Sequence, residues 1–472
     1  MTTPVANQPR RRGTCPGVLA PMRVGDGFLL RVRVPAGVLP AEHARRIADL
    51  ADRYGNGLID LSHRGNLQLR GIAADALEPV TDALRDMGYV SADAASEAVR
   101  NVLCSPTAGL DPSAPMDVRG VARTLDARLA ADTALHRLPP KFGWLVCGGG
   151  IGHLADSSTD VRFDAVDAEH FRVSLGGTLA KAAPLGLCRT DDVADVASAL
   201  GRAFLELRAE LPEPPRRMVG LVAAIGTEPF ATCLSPLISP PPPSSRTKLR
   251  FVLTRQADHR SAESGGGSGW GQVAHVMDVF GSAEPPHPNL LPGGEKGSRI
   301  GETPAFLTTA FPFGRLTAAT LSALASACVE FRITPWRALI LVAPTTDAGH
   351  VAHAHGAILS HADRRLKLTA CSGAGGCDVG TTDTHATALA IAERAGPLLD
   401  HVRMVHVSGC AKGCAHPAIA DVTLTARDGV YDVALNAKPG DDARHMQGHT
   451  GLSPADAVAR VADLLTEEST GA

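Results

Sequence analysis

The sequence predicts an α/β (α+β) fold made of two related halves, each with a small α/β unit followed by a larger one, arranged around a central cleft. Three observations predict this fold. The chain has 472 residues, one motif occurs twice, and a stretch rich in proline and glycine separates the two copies. A chain of this length is too long for one compact core, so we expect several domains.

The repeat is visible in two pairs of segments. Residues 34–41 read VPAGVLPA and residues 311–318 read FPFGRLTA, with proline, glycine, leucine and alanine at matching places. Further on, LSHRGNLQL (61–69) aligns with ITPWRALIL (333–341). Both copies predict strand, turn, helix and strand, with apolar residues at helical spacing over 39–53 and 316–330. The shared order of elements indicates an internal duplication.

Composition and the repeat divide the chain into five segments. The small copies are 1–75 and 304–345, the larger α/β segments are 76–234 and 346–472, and 235–303 is a linker or insertion. This last stretch has an unbroken proline run and clusters of glycine and serine, which are typical of linkers. Within it, LRFVLTR (249–255) predicts one short strand.

The overall composition excludes several classes of protein. Forty-six Lys and Arg against 49 Asp and Glu give a formal net charge of −3, so there is no net basic field for nucleic acid. No run of about 18 apolar residues is present, which argues against a membrane span. Arg10, Arg11 and Arg12 precede a stretch without an apolar core, so we expect a cytoplasmic protein. Ten cysteines are too few for a disulfide scaffold.

Four of the cysteines lie as two pairs in glycine-rich loops. Cys371 and Cys377 belong to TACSGAGGCDVG, and Cys410 and Cys414 belong to HVSGCAKGCAHP. Four thiolates that converge on a small volume hold a cubane 4Fe–4S cluster, and glycines let the backbone wrap closely around it. Zinc remains an alternative, although structural zinc sites have about two to four residues between paired ligands and the first pair here has five.

The cysteine spacing and the duplicated halves resemble the sulfite and nitrite reductase superfamily. The resemblance implies that 1–75 and 304–345 are ferredoxin-like half-domains. It implies a first reductase-like α/β domain without a cluster over 76–234 and a second, cluster-binding one over 346–472. It also implies that Cys371, Cys377, Cys410 and Cys414 bind the cluster, with Cys414 at the position that bridges to siroheme in the superfamily.

Segments of the first half resemble those that line the tetrapyrrole in the superfamily. The implied anion-binding residues are Arg31 in LLRVRVPAG, Arg64 and Gln68 in LSHRGNLQLRG, Arg100 in RNVLC and Lys141 in LPPKFG. Arginine suits this role because its planar fork pairs with carboxylates. Arg33 and Arg70 are further candidates, since Arg33 would share a strand face with Arg31, although a solvated strand face explains such charges equally well. Gly143 departs from the superfamily, which has a second lysine there.

Four segments resemble the branch of the superfamily that hydroxylates a tetrapyrrole in aerobic cobalamin biosynthesis: HVSGCAKGCAHP, RITPWRALIL, FPFGRL and RRGTCPGVL. This resemblance implies a monooxygenase that uses dioxygen to hydroxylate precorrin-3A at a meso carbon, with lactone formation from a neighbouring acetate. The implied cofactors are a 4Fe–4S cluster and a mononuclear non-haem iron. NADH or NADPH is the indirect electron source, with an electron-donor protein as a partner.

The ligands of such an iron are not identifiable in the sequence. Typical ligands are two histidines and a carboxylate. Histidines cluster at His350, His353, His355 and His361, but HVAHAHG fits a polar helix surface equally well. His406 and His416 flank the second cysteine pair. Two other functions stay open: a siroheme-dependent assimilatory sulfite or nitrite reductase, and a non-catalytic iron–sulfur electron carrier, which would need none of the anion-binding residues.

Overall fold

The structure is a computed structural model that describes residues 16–235, 237–239, 306–443 and 449–470. These residues form two compact units. Unit 1 contains 16–21, 31–37 and the described residues between 83 and 239, and unit 2 contains 22–30, 38–82 and the described residues from 306 onward. Most of the predicted linker (240–303), with its predicted strand at 249–255, lies outside the described residues.

Strands and helices are interspersed along both units. The strands, in chain order, are β1 (Met22–Val24), β2 (Gly27–Val32), β3 (Val38–Pro40), β4 (Leu58–Leu61), β5 (Leu67–Ile72), β6 (Val102–Cys104), β7 (Trp144–Cys147), β8 (Thr159–Ala165), β9 (His170–Gly177), β10 (Ala183–Arg189), β11 (Phe306–Ala310), β12 (Arg315–Thr317), β13 (Glu330–Ile333), β14 (Ala338–Val342), β15 (Leu368–Ala370), β16 (Val405–Ser408), β17 (Ala420–Arg427), β18 (Val430–Ala437) and β19 (His449–Leu452). The helices are α1 (Ala41–Tyr54), α2 (Leu77–Asp86), α3 (Ala94–Val99), α4 (Arg119–Ala131), α5 (Val193–Ala209), α6 (Met218–Ile225), α7 (Glu228–Leu234), α8 (Ala318–Ala325), α9 (Ala348–Ala354), α10 (Thr384–Ala395) and α11 (Pro454–Thr470).

Unit 1 is built on one five-stranded sheet in the order β10–β9–β8–β7–β6. Strands β6, β7 and β8 are parallel, whereas β8, β9 and β10 are antiparallel. Helix α5 packs against α4 and α7. Phe142, Trp144 and Phe204 fill the interior, with the ring of Phe142 5.1 Å from that of Trp144 and 4.8 Å from that of Phe204. Because β6 and β7 are parallel neighbours, the loops that follow them leave the sheet at the same edge.

Unit 2 contains three sheets: β1–β2–β5–β4–β12, β11–β14–β13–β3 and β15–β16–β17–β18–β19. In the first two sheets the copies of the repeat exchange a strand. Strand β12 of the second copy pairs with β4 of the first, and β3 of the first copy pairs with β13 of the second. Helices α1 and α8 pack against each other. Each small sheet is therefore completed by a strand from the other copy.

The turns of the two copies share an unusual backbone conformation, which confirms the duplicated α/β fold. Ala36 and Phe313 have φ values of 54° and 59°, and each is followed by a glycine with positive φ. The turns between the paired strands also match, because Gly65 has a φ of 63° and Arg337 a φ of 59°. Non-glycine residues with positive φ are uncommon, so this agreement reflects a common backbone design.

The helix bounds agree with the sequence in the first copy and differ in the second. The helix predicted over 39–53 is α1, Ala41–Tyr54. The prediction of a helix over 316–330 was wrong at its end, since α8 stops at Ala325. Glu330 is already the first residue of β13 and pairs with both Pro40 and Val342. Strand pairing on both sides therefore outweighs the helical pattern of the local sequence.

The third sheet of unit 2 repeats the design of the sheet in unit 1. Strands β15, β16 and β17 are parallel, and β17, β18 and β19 are antiparallel. Its apolar face packs under α10 and α11, with Val405, Val407, Leu424 and Tyr431 in the core. In the part of the chain that the structure describes, none of the helices has the length and apolar character needed to cross a bilayer.

Candidate functional site

The two cysteine pairs lie in the loops that follow two neighbouring parallel strands of unit 2. Cys371 comes directly after β15, and Cys410 comes two residues after the end of β16. Ala370 is in register with Val407 across the two strands. Carboxyl ends of parallel strands meet at one sheet edge, so the fold itself brings the two loops together.

The other three thiols lie close enough to Cys414 to affect it electrostatically. Partial burial raises the pKa of the Cys414 thiol, and although Lys412 lowers it, the charges of Cys371, Cys410 and Cys377 raise it further. Cys414 is nevertheless exposed, whereas the other three are half-buried. The structure therefore brings the four cysteines predicted from the sequence into one group, with Cys414 the most accessible.

Glycines let the backbone approach the sulfur of Cys371. The N–H of Gly409 donates to Cys371 Sγ at 3.1 Å, and a Cβ at position 409 would lie 3.3 Å from that sulfur. Gly380 lies against the backbone of Gly373, where a Cβ would come within 2.5 Å of the Gly373 carbonyl carbon. Larger residues at these positions would push the loops apart, which explains the glycine-rich sequence.

Side-chain hydrogen bonds also hold the cysteine loops. Thr384 Oγ1 donates to the carbonyl of Cys371 at 2.6 Å, and Ser408 Oγ donates to the carbonyl of Cys410 at 2.7 Å. Asp383 caps α10 by accepting from the N–H of Ala386 at 3.0 Å. The loop of the first cysteine pair is therefore fixed to the start of a well-capped helix.

Four cysteine thiolates are the donor set that a 4Fe–4S cluster takes. Among the described residues, no three His, Cys, Asp or Glu side chains are placed to hold one metal ion. A cubane cluster spreads its four thiolates more widely, because each binds a different iron. The described ranges likewise offer no ligand set for a mononuclear iron, and His350, His353, His355 and His361 are exposed there.

The sheet of unit 1 has the same loop contact without the cysteine pairs. The N–H of Gly148, after β7, donates to Ser105 Oγ at 2.9 Å, which matches the contact between Gly409 and Cys371. Cys104 and Cys147 are buried at the ends of β6 and β7. Serine thus stands where the second copy has its first cysteine.

The predicted anion-binding residues are divided between the two units. Arg64 and Gln68 belong to unit 2, where Arg64 is half-buried in the β4–β5 turn and Gln68 is opposite Asp60. Arg31 and Lys141 belong to unit 1, where Arg31 is half-buried near the end of β2 and Lys141 is exposed before β7.

Two arginines of unit 1 form buried ion pairs instead. Arg33 is buried, and its Nη1 donates to Glu97 at 3.2 Å. Glu97 also accepts from the backbone N–H groups of Val18 and Leu19. The spacing of Arg31 and Arg33 suggested that they share one accessible surface. Arg33 is buried, so they do not. Arg100 is 9% exposed and donates twice to Asp126, at 2.6 and 2.9 Å, so its guanidinium is already engaged.

Gly143 occupies a position with little space for a side chain. Its N–H donates to Asp160 Oδ2 at 2.9 Å, and a Cβ here would lie 3.2 Å from Thr159 Oγ1. Asp160 is buried and also pairs with Arg217. A lysine at position 143 would therefore require Thr159 to move.

Sequence reasoning missed an ion network beside the first cysteine pair. Arg70, Asp26, Asp60 and Arg315 are linked by hydrogen bonds, and Arg315 also reaches His385. Burial alone would raise the pKa of Asp60, but the hydrogen bond and charge of Arg315 lower it. Burial and the charge of Arg315 lower the pKa of His385 to about 4. The residue types were visible in the sequence, but their pairing depends on the tertiary fold.

His406 is fully buried on β16, and neither ring nitrogen has a hydrogen-bond partner among the described residues. Burial, together with the charge of His416, whose ring centroid lies 5.7 Å away, lowers the pKa of His406 to about 3. Its folded-state pKa is thus below the unfolded value of about 6.5. The neutral histidine therefore stabilises the fold above pH 6.5, and this contribution is lost as the pH falls toward 3.

We expect His406 to destabilise unit 2 by about 2 kcal/mol at pH 5 relative to pH 7, since each pKa unit corresponds to about 1.4 kcal/mol. Urea unfolding at the two pH values, with wild-type protein and His406→Leu, measures this difference. The variant should lose that part of the acid sensitivity. His353→Gln, at an exposed position of α9, is the matched control and should behave as wild type. Equal acid sensitivity in wild type and His406→Leu would contradict the prediction.

Comparison with known proteins agrees with this architecture. Residues 20–87 match the nitrite/sulfite reductase ferredoxin-like half domain, and residues 95–238 match the nitrite and sulphite reductase 4Fe-4S domain. The second match covers the first-copy sheet, where Ser105 replaces the cysteine. The structure of Mycobacterium tuberculosis NirA protein has the same fold, with a TM-score of 0.62 and 19% identity over 92% of this chain and 79% of that one.

Two curated relatives match over nearly the whole length of the chain. A precorrin-3B synthase from Sinorhizobium sp is 27% identical over 97% of this chain and 89% of its own. A ferredoxin–nitrite reductase from Synechococcus elongatus is 25% identical over 93% of this chain and 86% of its own. Both domain models and both relatives thus make the chain similar to the nitrite/sulfite reductase family of oxidoreductases. The matched 4Fe-4S domain family implies an iron–sulfur cluster.

Proposed function

We propose that this chain is an iron–sulfur monooxygenase that hydroxylates precorrin-3A and forms its lactone, as a precorrin-3B synthase of aerobic cobalamin biosynthesis does. The observation that carries the proposal is the similarity to such a synthase over 97% of the chain. The domain division predicted from the sequence belongs to the same proposal, with half-domains at 1–75 and 304–345 and the cluster domain at 346–472.

The tight packing at Gly143 also favours this function. A sulfite or nitrite reductase must hold a small anion and supply it with protons, which requires several cationic donors close together. The second lysine expected for such an enzyme is replaced by Gly143, and a Cβ there would press on Thr159 Oγ1 at 3.2 Å. A large substrate that carries several carboxylates has no need of that lysine.

The proposed reaction consumes one dioxygen, two electrons and two protons, and it places one oxygen atom in the product and the other in water. NADH or NADPH supplies the electron pair through an electron-donor protein. Cys371, Cys377, Cys410 and Cys414 would hold the cluster, which would supply one-electron transfer to the site. Arg31 and Lys141 of unit 1, and Arg64 and Gln68 of unit 2, keep their predicted role as residues that bind acetate and propionate groups, because cationic and amide side chains donate hydrogen bonds to carboxylates. Arg100 is left out of this set, since Asp126 occupies its guanidinium.

Isotopically labelled dioxygen tests the proposal. Protein purified without oxygen is mixed with precorrin-3A, an electron source and labelled gas, and the product is analysed by mass spectrometry. We expect one labelled oxygen atom per product molecule and no product without dioxygen or without reductant. A parallel reaction in labelled water with ordinary dioxygen is the control. Product that takes its hydroxyl oxygen from water would overturn the assignment.

The second candidate is a siroheme-dependent sulfite or nitrite reductase, which the similarity to ferredoxin–nitrite reductase favours. The absorption spectrum of the purified protein separates the two functions, because siroheme has strong visible bands and a cluster alone gives a broad shoulder. Siroheme bands together with turnover of sulfite or nitrite would establish the reductase.

A further inference from the structure

Arg70 on β5 has all its hydrogen-bonding groups engaged in unit 2. A guanidinium has five N–H donors. Nε and Nη2 donate to the two oxygens of Asp26 at 2.9 and 3.1 Å, and Nη1 donates to Asp60 Oδ2 at 3.1 Å. The remaining two donors reach Ser372 Oγ at 3.4 Å and the Gly376 carbonyl at 2.7 Å. The side chain is 3% exposed, so it cannot also bind a substrate carboxylate.

The last two contacts hold both ends of the loop between the first two cysteines. Ser372 follows Cys371, and Gly376 precedes Cys377. The loop backbone lies directly against the guanidinium, because a Cβ at position 376 would come within 2.9 Å of Arg70 Nη2.

The β1–β2 turn supports the same loop from another side. A Cβ at Gly25 would lie 3.0 Å from the carbonyl carbon of Cys377. Asp26, the next residue, is the bidentate partner of Arg70. The β1–β2 turn therefore contacts Cys377, and it also orients Arg70, which holds the neighbouring Gly376.

The charges of this network are balanced. Asp60 pairs with Arg70 and, at 2.6 Å, with Nε of Arg315, so two carboxylates are matched by two guanidiniums. Removing the charge of Arg70 alone leaves a net negative charge beside the loop. Such a charge makes it harder to add an electron to a cluster held by that loop, and in a partly buried site the effect is weakly screened.

We propose that Arg70 is a positioning residue for the iron–sulfur cluster: it clamps the loop between Cys371 and Cys377, and its charge keeps the reduction potential of the cluster from falling. This inference rests on the cluster in the proposed function and is independent of whether the substrate is a tetrapyrrole, sulfite or nitrite. The hold on the loop and the effect of the charge on the reduction potential can be measured separately, because a lysine at position 70 keeps the charge but lacks the planar fork.

Three variants of the full-length protein separate the two effects: Arg70→Met, Arg70→Lys, and Arg70→Met combined with Asp26→Asn. Iron and sulfide content, the midpoint potential from a redox titration followed by electron paramagnetic resonance, and the rate of iron loss to a chelator are measured for each. Arg23→Met, which removes an exposed arginine of β1, is the control for charge loss alone.

We expect Arg70→Met to lower the midpoint potential and to lose iron at least ten times faster than wild type. The double variant should recover most of the potential but still lose iron quickly, because the clamp is absent. Arg70→Lys should keep the potential near that of wild type and lose iron at an intermediate rate. Arg23→Met should match wild type in both measurements.

Two results would overturn the inference. One is an Arg70→Met protein with full cluster content, unchanged potential and unchanged rate of iron loss, which would leave the cluster itself intact as a proposal. The other is wild-type protein without iron and sulfide, which would remove the cluster and the role of Arg70 together. If Arg70→Met fails to fold, Arg70→Lys still decides: iron loss as slow as in wild type would contradict the clamp.

Discussion

Each of the variants Cys371→Ser, Cys377→Ser, Cys410→Ser and Cys414→Ser is expected to lose most of its iron and acid-labile sulfide. The four thiols lie in two neighbouring loops of unit 2, which follow the parallel strands β15 and β16 and which glycines hold close to Cys371. A cubane cluster needs a thiolate at each corner, and serine is a poor substitute for it. Iron and sulfide analysis of protein purified without oxygen, together with the visible absorption shoulder, measures the loss.

Cys233→Ser provides the matched control for these four variants. Cys233 is exposed on α7 of unit 1 and belongs to no cysteine pair, so this variant should keep the iron content of wild type. Since Cys414 is the exposed member of the group, its variant should retain more protein-bound iron than that of Cys371, whose sulfur accepts from the Gly409 N–H. Wild-type iron and sulfide content in all four variants would show that these cysteines do not bind a cluster.

Arg100→Met is expected to destabilise unit 1 by roughly 3–5 kcal/mol, the usual cost of removing one partner of a buried ion pair. The substitution leaves the Asp126 carboxylate buried without its two hydrogen bonds from the guanidinium. Urea unfolding followed by the fluorescence of Trp144 reports on unit 1 once Trp270 and Trp336 are replaced by phenylalanine, because the chain has three tryptophans. All proteins are compared in that background.

Replacing both partners of the ion pair tests whether the unpaired Asp126 carboxylate causes the loss of stability. Arg100→Met combined with Asp126→Leu removes both charges, so it should recover much of the lost stability. Arg64→Ala is the contrasting variant, because Arg64 is half-buried in a turn and should weaken tetrapyrrole binding by about 1.5–3 kcal/mol with little loss of stability. If Arg100→Met weakens substrate binding and leaves the unfolding transition unchanged, Arg100 is a substrate residue after all.

The sequence was most informative for residue types that have few structural roles. Glycine and cysteine are such residues: the repeated Pro-x-Gly turn corresponds to the matching positive φ values at Ala36 and Phe313, and the cysteine pairs lie at one sheet edge. These features depend on local conformation or on the order of parallel strands. Both can be inferred without knowing which distant segments meet.

The arginines were harder to interpret, because an arginine on a strand pairs with whatever the fold brings to it. Arg33 meets Glu97, Arg70 meets Asp26 and Asp60, and Arg100 meets Asp126. The alternation of side chains along a strand predicts which face of the sheet each arginine lies on, but it does not predict which residues that arginine contacts. The sequence therefore predicted a set of cations in the first half, but it could not separate arginines of structural ion pairs from residues that would bind a ligand.

The strand exchange between the two copies also has a consequence for the nascent chain. Val38 in β3 pairs with Arg332 in β13, and Leu58 in β4 pairs with Thr317 in β12. At the usual elongation rate of about 5–20 residues per second, β3 waits on the order of 15–60 s for its partner. During that interval β4 remains an open sheet edge, which invites pairing with other chains. The first copy cannot complete its sheet on the ribosome before the second copy is synthesised, so the two copies fold together. Synthesis of this protein therefore carries a risk of misassembly, which chaperones would have to limit.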